Sequence, residues 1–436
     1  MPPLLDTAPP LIKGWCPTAF RPMESGDGLI IRAHTPRARL TLAQLRATAR
    51  IARAYGNGLI DLTQRAQIQI RGLSAETHGA AMVELANADL LARDARSERR
   101  PHVITWPLAA LAPRGSVDVD TFACALTDRL AEVEALLELP PKFLFVVESG
   151  DEAALPEVEA DIRFTPTIDG RIAIRIGSAQ ECAALVQHDA AIDAGRRLAL
   201  AFLKSRQTEA DPPRRMKHLV ESFGAERIFG LASLTPLVTP AAKVRSGDHA
   251  FYGLVKAGDV TLAGVGAPSG RLTADVVEAL ANCAEIAGAE GASLTPWRLT
   301  LFRVRDTASA ATFLEAACAL GLIVRKDDPR RAVVACPGAP QCAQARGATR
   351  AHLTELSEIV ARFASADAVG LHISGCQKGC ARPGPAPVTL VATETGYDLI
   401  ENGRASDPPK RSGLTIDEVE SALVALAEDR QPCPTP

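Results

Sequence analysis

The chain repeats itself. Arg39-Leu40-Thr41 recurs as Arg271-Leu272-Thr273, 232 positions further on, and at the same offset Gly56 meets Gly288, Leu62-Thr63 meets Leu294-Thr295 and Arg71 meets Arg303. A solenoid needs three or more adjacent units, so two distant copies point instead to a duplicated, pseudo-twofold molecule. Each copy reads as strand, helix, strand. In the first, Gly28 to His34 is extended, Thr41 caps a helix with Gln44 three places on, Leu42, Leu45, Ala49 and Ala52 make its apolar face, and Gln67 to Arg71 alternates as a strand. In the second, Phe251 to Val265 is the entering strand, the helix runs from Thr273 to Gly288, and Leu299 to Arg303 alternates in turn.

A linker belongs between the copies, and the polar, proline-bearing stretch Ser205 to Met216 opens it. The boundaries that follow are 14–75 for the first small unit, 76–204 for a larger mixed block, 205–245 for the linker, 246–306 for the second small unit, 307–425 for a second mixed block and 426–436 for a flexible tail. In the first block Phe143 to Val147 and Arg171 to Ile176 read as strands, and the face carrying Ile172, Ile174 and Ile176 is expected to be buried. The fold class is mixed α+β.

Charge narrows the partners. With 48 Lys and Arg against 51 Asp and Glu, no global basic field is available to grip nucleic acid or an anionic membrane. The first residues show no secretory signal, and no apolar run approaches the ~18 residues of a membrane span, so a soluble cytoplasmic protein is expected. In that reducing compartment the ten cysteines are too sparse for a disulfide framework. Cys16, Cys124, Cys182, Cys283, Cys318 and Cys433 stand alone and read as small buried hydrophobes. The other four come in pairs, Cys336-x5-Cys342 and Cys376-x3-Cys380, each after a short apolar strand and among Gly and Pro. Four thiolates so delivered can surround a metal. A [4Fe–4S] cluster, zinc and unrelated thiols are all open, with the x5 loop fitting a cluster better than the usual zinc knuckle.

At these cysteines, at the duplicated unit and at Leu62-Thr63-x-Arg65, the sequence resembles the siroheme-dependent nitrite and sulfite reductase family over most of residues 14–425. The resemblance implies two ferredoxin-like half-domains joined as one domain, two larger α/β domains flanking it, and a tetrapyrrole where they meet. It implies a [4Fe–4S] cluster on Cys336, Cys342, Cys376 and Cys380, with Cys380 bridging to siroheme iron if siroheme is present. Thr295-Pro-Trp-Arg298 and Ser374 to Ala381 are most similar to the oxygen-dependent members of aerobic cobalamin biosynthesis. Those imply precorrin-3A and dioxygen as reactants, hydroxylation at C20 with γ-lactone closure, and a mononuclear non-haem iron. The eight histidines offer that iron no ligand pattern.

A tetrapyrrole rich in carboxylates needs cations at its rim. Arg32, His34, Arg65, Arg71, Lys142 and Lys378 are the expected substrate-binding residues, with Arg298 a weaker candidate, although each cation alone is as easily a solvated surface charge. No catalytic residue is assignable. The chain departs from the reductases where Arg-x-Arg becomes Arg32-Ala-His34 and Lys-x-Lys becomes Lys142-Phe-Leu144, each losing a cation that a small oxyanion would need. Contacts from Arg99 or Arg100 are doubtful for want of the family's Arg-Asn pattern. Gly264-x-Gly266-x3-Gly270 lacks the strand-to-helix setting of a dinucleotide fingerprint, so electrons are expected from an external donor, an NADH-linked reductase or a ferredoxin. The rival readings are a siroheme nitrite or sulfite reductase and a non-catalytic tetrapyrrole-binding protein.

Overall fold

The computed structural model describes residues 15–430 except 110–116, 151, 154, 156–157, 208, 210, 240–242, 245–250 and 365–368. Cys433 and the start of the chain lie outside these residues.

The first unit comprises β1 (Met23–Ser25), β2 (Gly28–Arg32), β3 (Arg39–Thr41), α1 (Leu42–Tyr55), β4 (Leu59–Leu62), β5 (Ile68–Leu73) and α2 (Ala75–Asn87). Helix α1 starts where the sequence says: the Gln44 N–H donates to the Thr41 hydroxyl at 3.1 Å, and the Gln44 side chain accepts from the Thr41 N–H at 3.0 Å. The second block of the chain begins with β6 (His102–Thr105), α3 (Val119–Ala131), β7 (Leu144–Val147), β8 (Glu152–Ala153), β9 (Ile162–Pro166), β10 (Ile172–Ile176), β11 (Cys182–Val186) and α4 (His188–Arg206). It continues through α5 (Met216–Phe223), α6 (Ala225–Leu231), β12 (Pro236–Val238) and β13 (Lys243–Val244), which pairs with β8. The second unit holds β14 (Gly253–Ala257), β15 (Val260–Gly266), β16 (Arg271–Thr273), α7 (Ala274–Ile286), β17 (Gly291–Leu294), β18 (Leu299–Val304) and α8 (Thr307–Ala319).

The two units exchange strands. Strand β16 pairs with β4, Leu272 opposite Ile60, and β3 pairs with β17, Leu40 opposite Ala292. The resulting sheets run β1-β2-β5-β4-β16 and β14-β15-β18-β17-β3, so each unit completes the other's sheet. Helices α1 and α7 pack together beneath them, tied at the surface by Arg46–Glu285 at 2.5 Å and Arg53–Asp275 at 2.6 Å. One core draws Ile60, Ile70 and Leu45 from the first unit and Leu280, Leu294 and Phe302 from the second.

In the first mixed block the sheet order is β12-β11-β10-β9-β7-β6, and Ile172, Ile174 and Ile176 are fully buried in its core with Leu198 and Phe202 of α4. The linker expected at 205–245 is partly folded. Met216 and Leu219 of α5 and Ile228 and Phe229 of α6 bury their apolar faces in that same core, and β12 adds to its sheet. Phe251 to Val265 is a hairpin, β14 to β15, turning at Gly258 with φ +61.

The last block contains β19 (Val333–Ala335), α9 (Leu353–Val360), β20 (Leu371–Ser374), β21 (Ala386–Ala392), β22 (Tyr397–Gly403), β23 (Arg411–Leu414) and α10 (Ile416–Arg430). Helix α10 therefore runs into the stretch expected as a tail. Strands β19, β20 and β21 are parallel, β22 and β23 antiparallel. One sheet face, with Leu371, Ile373, Val388 and Leu390, is covered by Leu353 and Leu356 of α9 and Val419 and Leu423 of α10. The other bears His372 and Ser374 beneath the cysteine loops. Among the described residues no helix is long and apolar enough to cross a membrane.

Candidate functional site

Because β19 and β20 are parallel neighbours, the loops that follow them leave the same sheet edge, and this brings the two cysteine pairs together. Cys336 is buried, its N–H donating to Ile373 O at 3.2 Å, and its Sγ accepts the Gly375 N–H at 3.1 Å. Gly375 is required there, since a Cβ would stand 2.6 Å from that of Ala345. Thr349 Oγ1 donates to Cys336 O at 2.6 Å, and Ser374 Oγ to Cys376 O at 2.6 Å. Cys342 and Cys376 are partly buried and Cys380 is exposed.

Burial pushes the Cys376 and Cys380 thiols up, and the neighbouring cysteines push the same way against the Lys378 ammonium. The four sulfurs thus share one electrostatic neighbourhood. Among the described residues no three His, Cys, Asp or Glu side chains gather closely enough to hold a single ion. A four-iron cluster spreads its thiolates farther apart than a single ion does. Sulfur acceptors, backbone N–H donation and glycine clearance fit such a cluster.

Arg65 sits at the junction with the first mixed block. Its guanidinium donates to Lys142 O at 3.1 Å and Phe143 O at 3.4 Å, and its own carbonyl meets His102 Nε2 at 3.0 Å. Burial, reinforced by Arg32, brings Arg65 down to about 10. The buried Nε atoms of Arg32 and Arg65 have no hydrogen-bond partner, so two like charges meet here under-compensated. Burial holds His102 well below its ordinary value, with Arg65 and Arg32 adding to the effect. Burial also lowers His34, with Glu98 opposing it and Arg100 assisting. Both imidazoles are neutral at pH 7. Lys142 is exposed, and Lys378 lies on the exposed tip of the Cys376–Cys380 loop.

Arg71 is placed differently. Only 2% exposed, it donates to Asp27 at 2.7 and 2.9 Å, to Asp61 at 3.2 Å, to Ser25 Oγ at 3.1 Å and to Gln341 O at 2.7 Å. Its donors face the cysteine loop. Asp61 also receives Arg271 at 2.7 and 2.8 Å, and Arg350 stands 3.8 Å away. Burial alone would raise the Asp61 carboxyl, but Arg271 above all, with Arg350 and Arg71, holds it below the usual range. Arg298, itself largely buried, adds a cation beside this carboxylate.

Residues 21–88 match the model of the nitrite/sulfite reductase ferredoxin-like half domain. A precorrin-3B synthase from a Sinorhizobium species is 28% identical over 409 residues, covering 91% of this chain and 84% of the relative. The chain is thus similar to the nitrite and sulfite reductase-like proteins. A ferredoxin–nitrite reductase of Synechococcus elongatus is 24% identical over 88% of this chain and 80% of its own. The NirA protein of Mycobacterium tuberculosis superposes with a TM-score of 0.73 over 94% of this chain and 82% of its own at 18% identity, showing the shared fold.

Set against the reductase pattern, the departures at His34 and Leu144 now have a structural meaning. Leu144 is 4% exposed in the core of the first block, and its N–H donates to Asp161 at 2.8 Å, so a lysine there would bury its charge. Asp61, Arg271, Arg350 and His102 were not found from sequence. Arg271 was visible only as a repeat marker. Arg298 occupies the repeat equivalent of Ala66, and both residues have left-handed backbones, φ +61 and +52. Gly270 clears the way for it, since a Cβ there would lie 2.4 Å from Arg298 Cδ.

Proposed function

We propose that the chain is a precorrin-3B synthase, an oxidoreductase that uses dioxygen to hydroxylate precorrin-3A at C20 and closes a γ-lactone from the ring A acetate. The observation that carries the reading is the charge balance where the first unit meets the first mixed block. Arg32 remains as an under-compensated cation for a substrate carboxylate beside the braced Arg65, while a neutral His34 and a core-bound Leu144 replace cations that would serve a small oxyanion. The likeness to a precorrin-3B synthase over 91% of this chain supports it.

Cys336, Cys342, Cys376 and Cys380 would hold a [4Fe–4S] cluster, which when bound supplies single electrons drawn from an external donor, an NADH-linked reductase or a ferredoxin. Arg32, Lys142 and Lys378 orient carboxylates, and Arg65 braces the Lys142 turn from behind. One oxygen atom enters the product and the other leaves as water, consuming two electrons and two protons. His34 and His102, whose burial favours the neutral form, would take and return a proton beside the substrate. Among the described residues no three His, Cys, Asp or Glu side chains gather around one ion, so the mononuclear iron implied by the resemblance has no fitting ligand set there.

The test is an absorption spectrum of anaerobically purified protein from siroheme-producing cells, followed by turnover with precorrin-3A and dioxygen. Iron–sulfur absorption without siroheme bands, and oxygen-dependent product, is expected. Siroheme at one per chain with six-electron reduction of nitrite or sulfite would overturn the reading, and precorrin-3A binding without turnover would indicate a non-catalytic binding protein.

A further inference from the structure

The C-x5-C loop is gripped from outside at both ends. Arg350 Nε donates to Cys336 O at 3.2 Å while its Nη2 reaches Ser269 O at 3.2 Å in the second unit. At the other end Gln341 O, next to Cys342, accepts Arg71 Nη2 at 2.7 Å and Ser25 Oγ at 2.5 Å. The turn between β1 and β2 presses on the same loop, for a Cβ on Gly26 would fall 2.1 Å from Pro340 O. Asp61 links the two grips by facing both arginines. The group carries three guanidiniums, Arg71, Arg271 and Arg350, against two carboxylates, Asp27 and Asp61, with Arg298 adjoining.

We infer that Arg71 and Arg350, organised by Asp61, are positioning residues that fix the Cys336–Cys342 loop and make the cluster easier to reduce. The inference rests on the reading that the four cysteines carry a cluster. Reduction adds one negative charge to a thiolate-ligated group, and a fixed excess of positive charge in a buried setting favours that state. The carbonyl grips add rigidity, because a loop held at Cys336 and beside Cys342 keeps both sulfurs in place when the charge changes. Among its described residues the second unit has no counterpart of this arrangement. Ser293 stands where Asp61 would be, and Arg303, equivalent to Arg71, is exposed.

The experiment uses the full chain with its cluster reconstituted anaerobically, comparing Arg350→Gln, Arg350→Lys and Arg71→Lys with the parent. Iron per chain, the midpoint potential, the electron paramagnetic resonance signal of the reduced cluster and the rate of iron loss to a chelator are measured, with circular dichroism reporting the fold. Arg350→Gln should retain iron but lose about tenfold in preference for the reduced state, a shift of ~59 mV to more negative potential for one electron. Arg350→Lys should recover most of that shift. Arg71→Lys keeps the charge but loses the fork, and should release iron about tenfold faster at a nearly unchanged potential. Folded, iron-loaded Arg350→Gln with the parental potential, or Arg71→Lys with parental iron loss, would overturn the inference. A parent that binds no four-iron cluster overturns the cluster reading itself, which is a separate result.

Discussion

The two half-domains share one backbone plan and divide its chemistry unequally. Where the first places Asp61 opposite Arg271 of its partner, the second places Ser293 opposite Arg39, which turns to Asp120 at 2.5 Å. Where the first has Arg65 donating to the Lys142 turn, the second has Trp297 stacked on Phe251 at 5.3 Å and 15°. The difference shows that duplication supplied a scaffold, while the charged contacts to the cysteine block concentrated on one copy. A buried carboxylate with several guanidiniums is costly unless its members are paired, and Arg71 finds that pairing in Asp27, Ser25 and Gln341 O.

The strongest way to break this comparison is at its centre. Asp61→Ala leaves Arg71 and Arg271 buried without their shared counter-charge and should cost about 3–5 kcal/mol. Ser293→Ala at the equivalent position should cost less than about 1 kcal/mol. Urea unfolding of both variants checks the ratio, and equal losses would show the two copies to be energetically alike.

On the functional side, Arg32→Gln should raise KM for precorrin-3A by about 10–100-fold with a smaller change in kcat, as expected from losing a charge-assisted contact of ~1.5–3 kcal/mol. Arg303→Gln, exposed in the second unit, should leave both constants unchanged. A kinetic effect of Arg303→Gln would place substrate on the other copy.

Acid sharpens the contrast further. The folded-state pKa of Asp61 is depressed, so its contribution is present above the unfolded value near ~3.9 and is lost as pH falls through the lower folded value. The stability gap between parent and Asp61→Asn should therefore be widest near neutrality and close below about pH 4. The gap for Ser293→Ala should stay flat across the same range.

The smallest expected difference lies at the helix starts. Thr41→Ala removes a reciprocal cap and should cost ~1 kcal/mol, whereas Thr273 accepts only the Val276 N–H at 3.3 Å and its replacement should cost less. Thermal unfolding of the two alanine variants, run side by side, tests this ranking.

What the sequence made legible was local and periodic. The Thr41 cap, the isoleucine face of β10 and the pairing of cysteines after two short strands all depend on neighbours within a few positions. The strand exchange was not legible, because Leu40 finds Ala292 and Ile60 finds Leu272 across more than 200 residues, and short edge strands carry no label for their partner. The helices inside 205–245 were masked by the prolines and charges that precede Met216, although Met216 and Leu219 already held a helical spacing. Alternation along β5 showed that Arg71 shares a face with Gln69, but it could not show that Gln341 O and two carboxylates lie on that side. Asp61 gave no signal at all, being a single acid within an apolar strand.

The exchange of β3 and β16 also sets a timetable for biosynthesis. The edge of β4 has no partner strand until Thr273 has left the ribosome, over 200 residues after Leu62. At ~5–20 residues per second that is a wait on the order of 10–40 s. Throughout it the first unit exposes an unpaired strand edge of the kind that invites foreign pairing. Neither unit can be expressed alone with its sheet complete, and the nascent first unit is a natural client for chaperones that shield open edges.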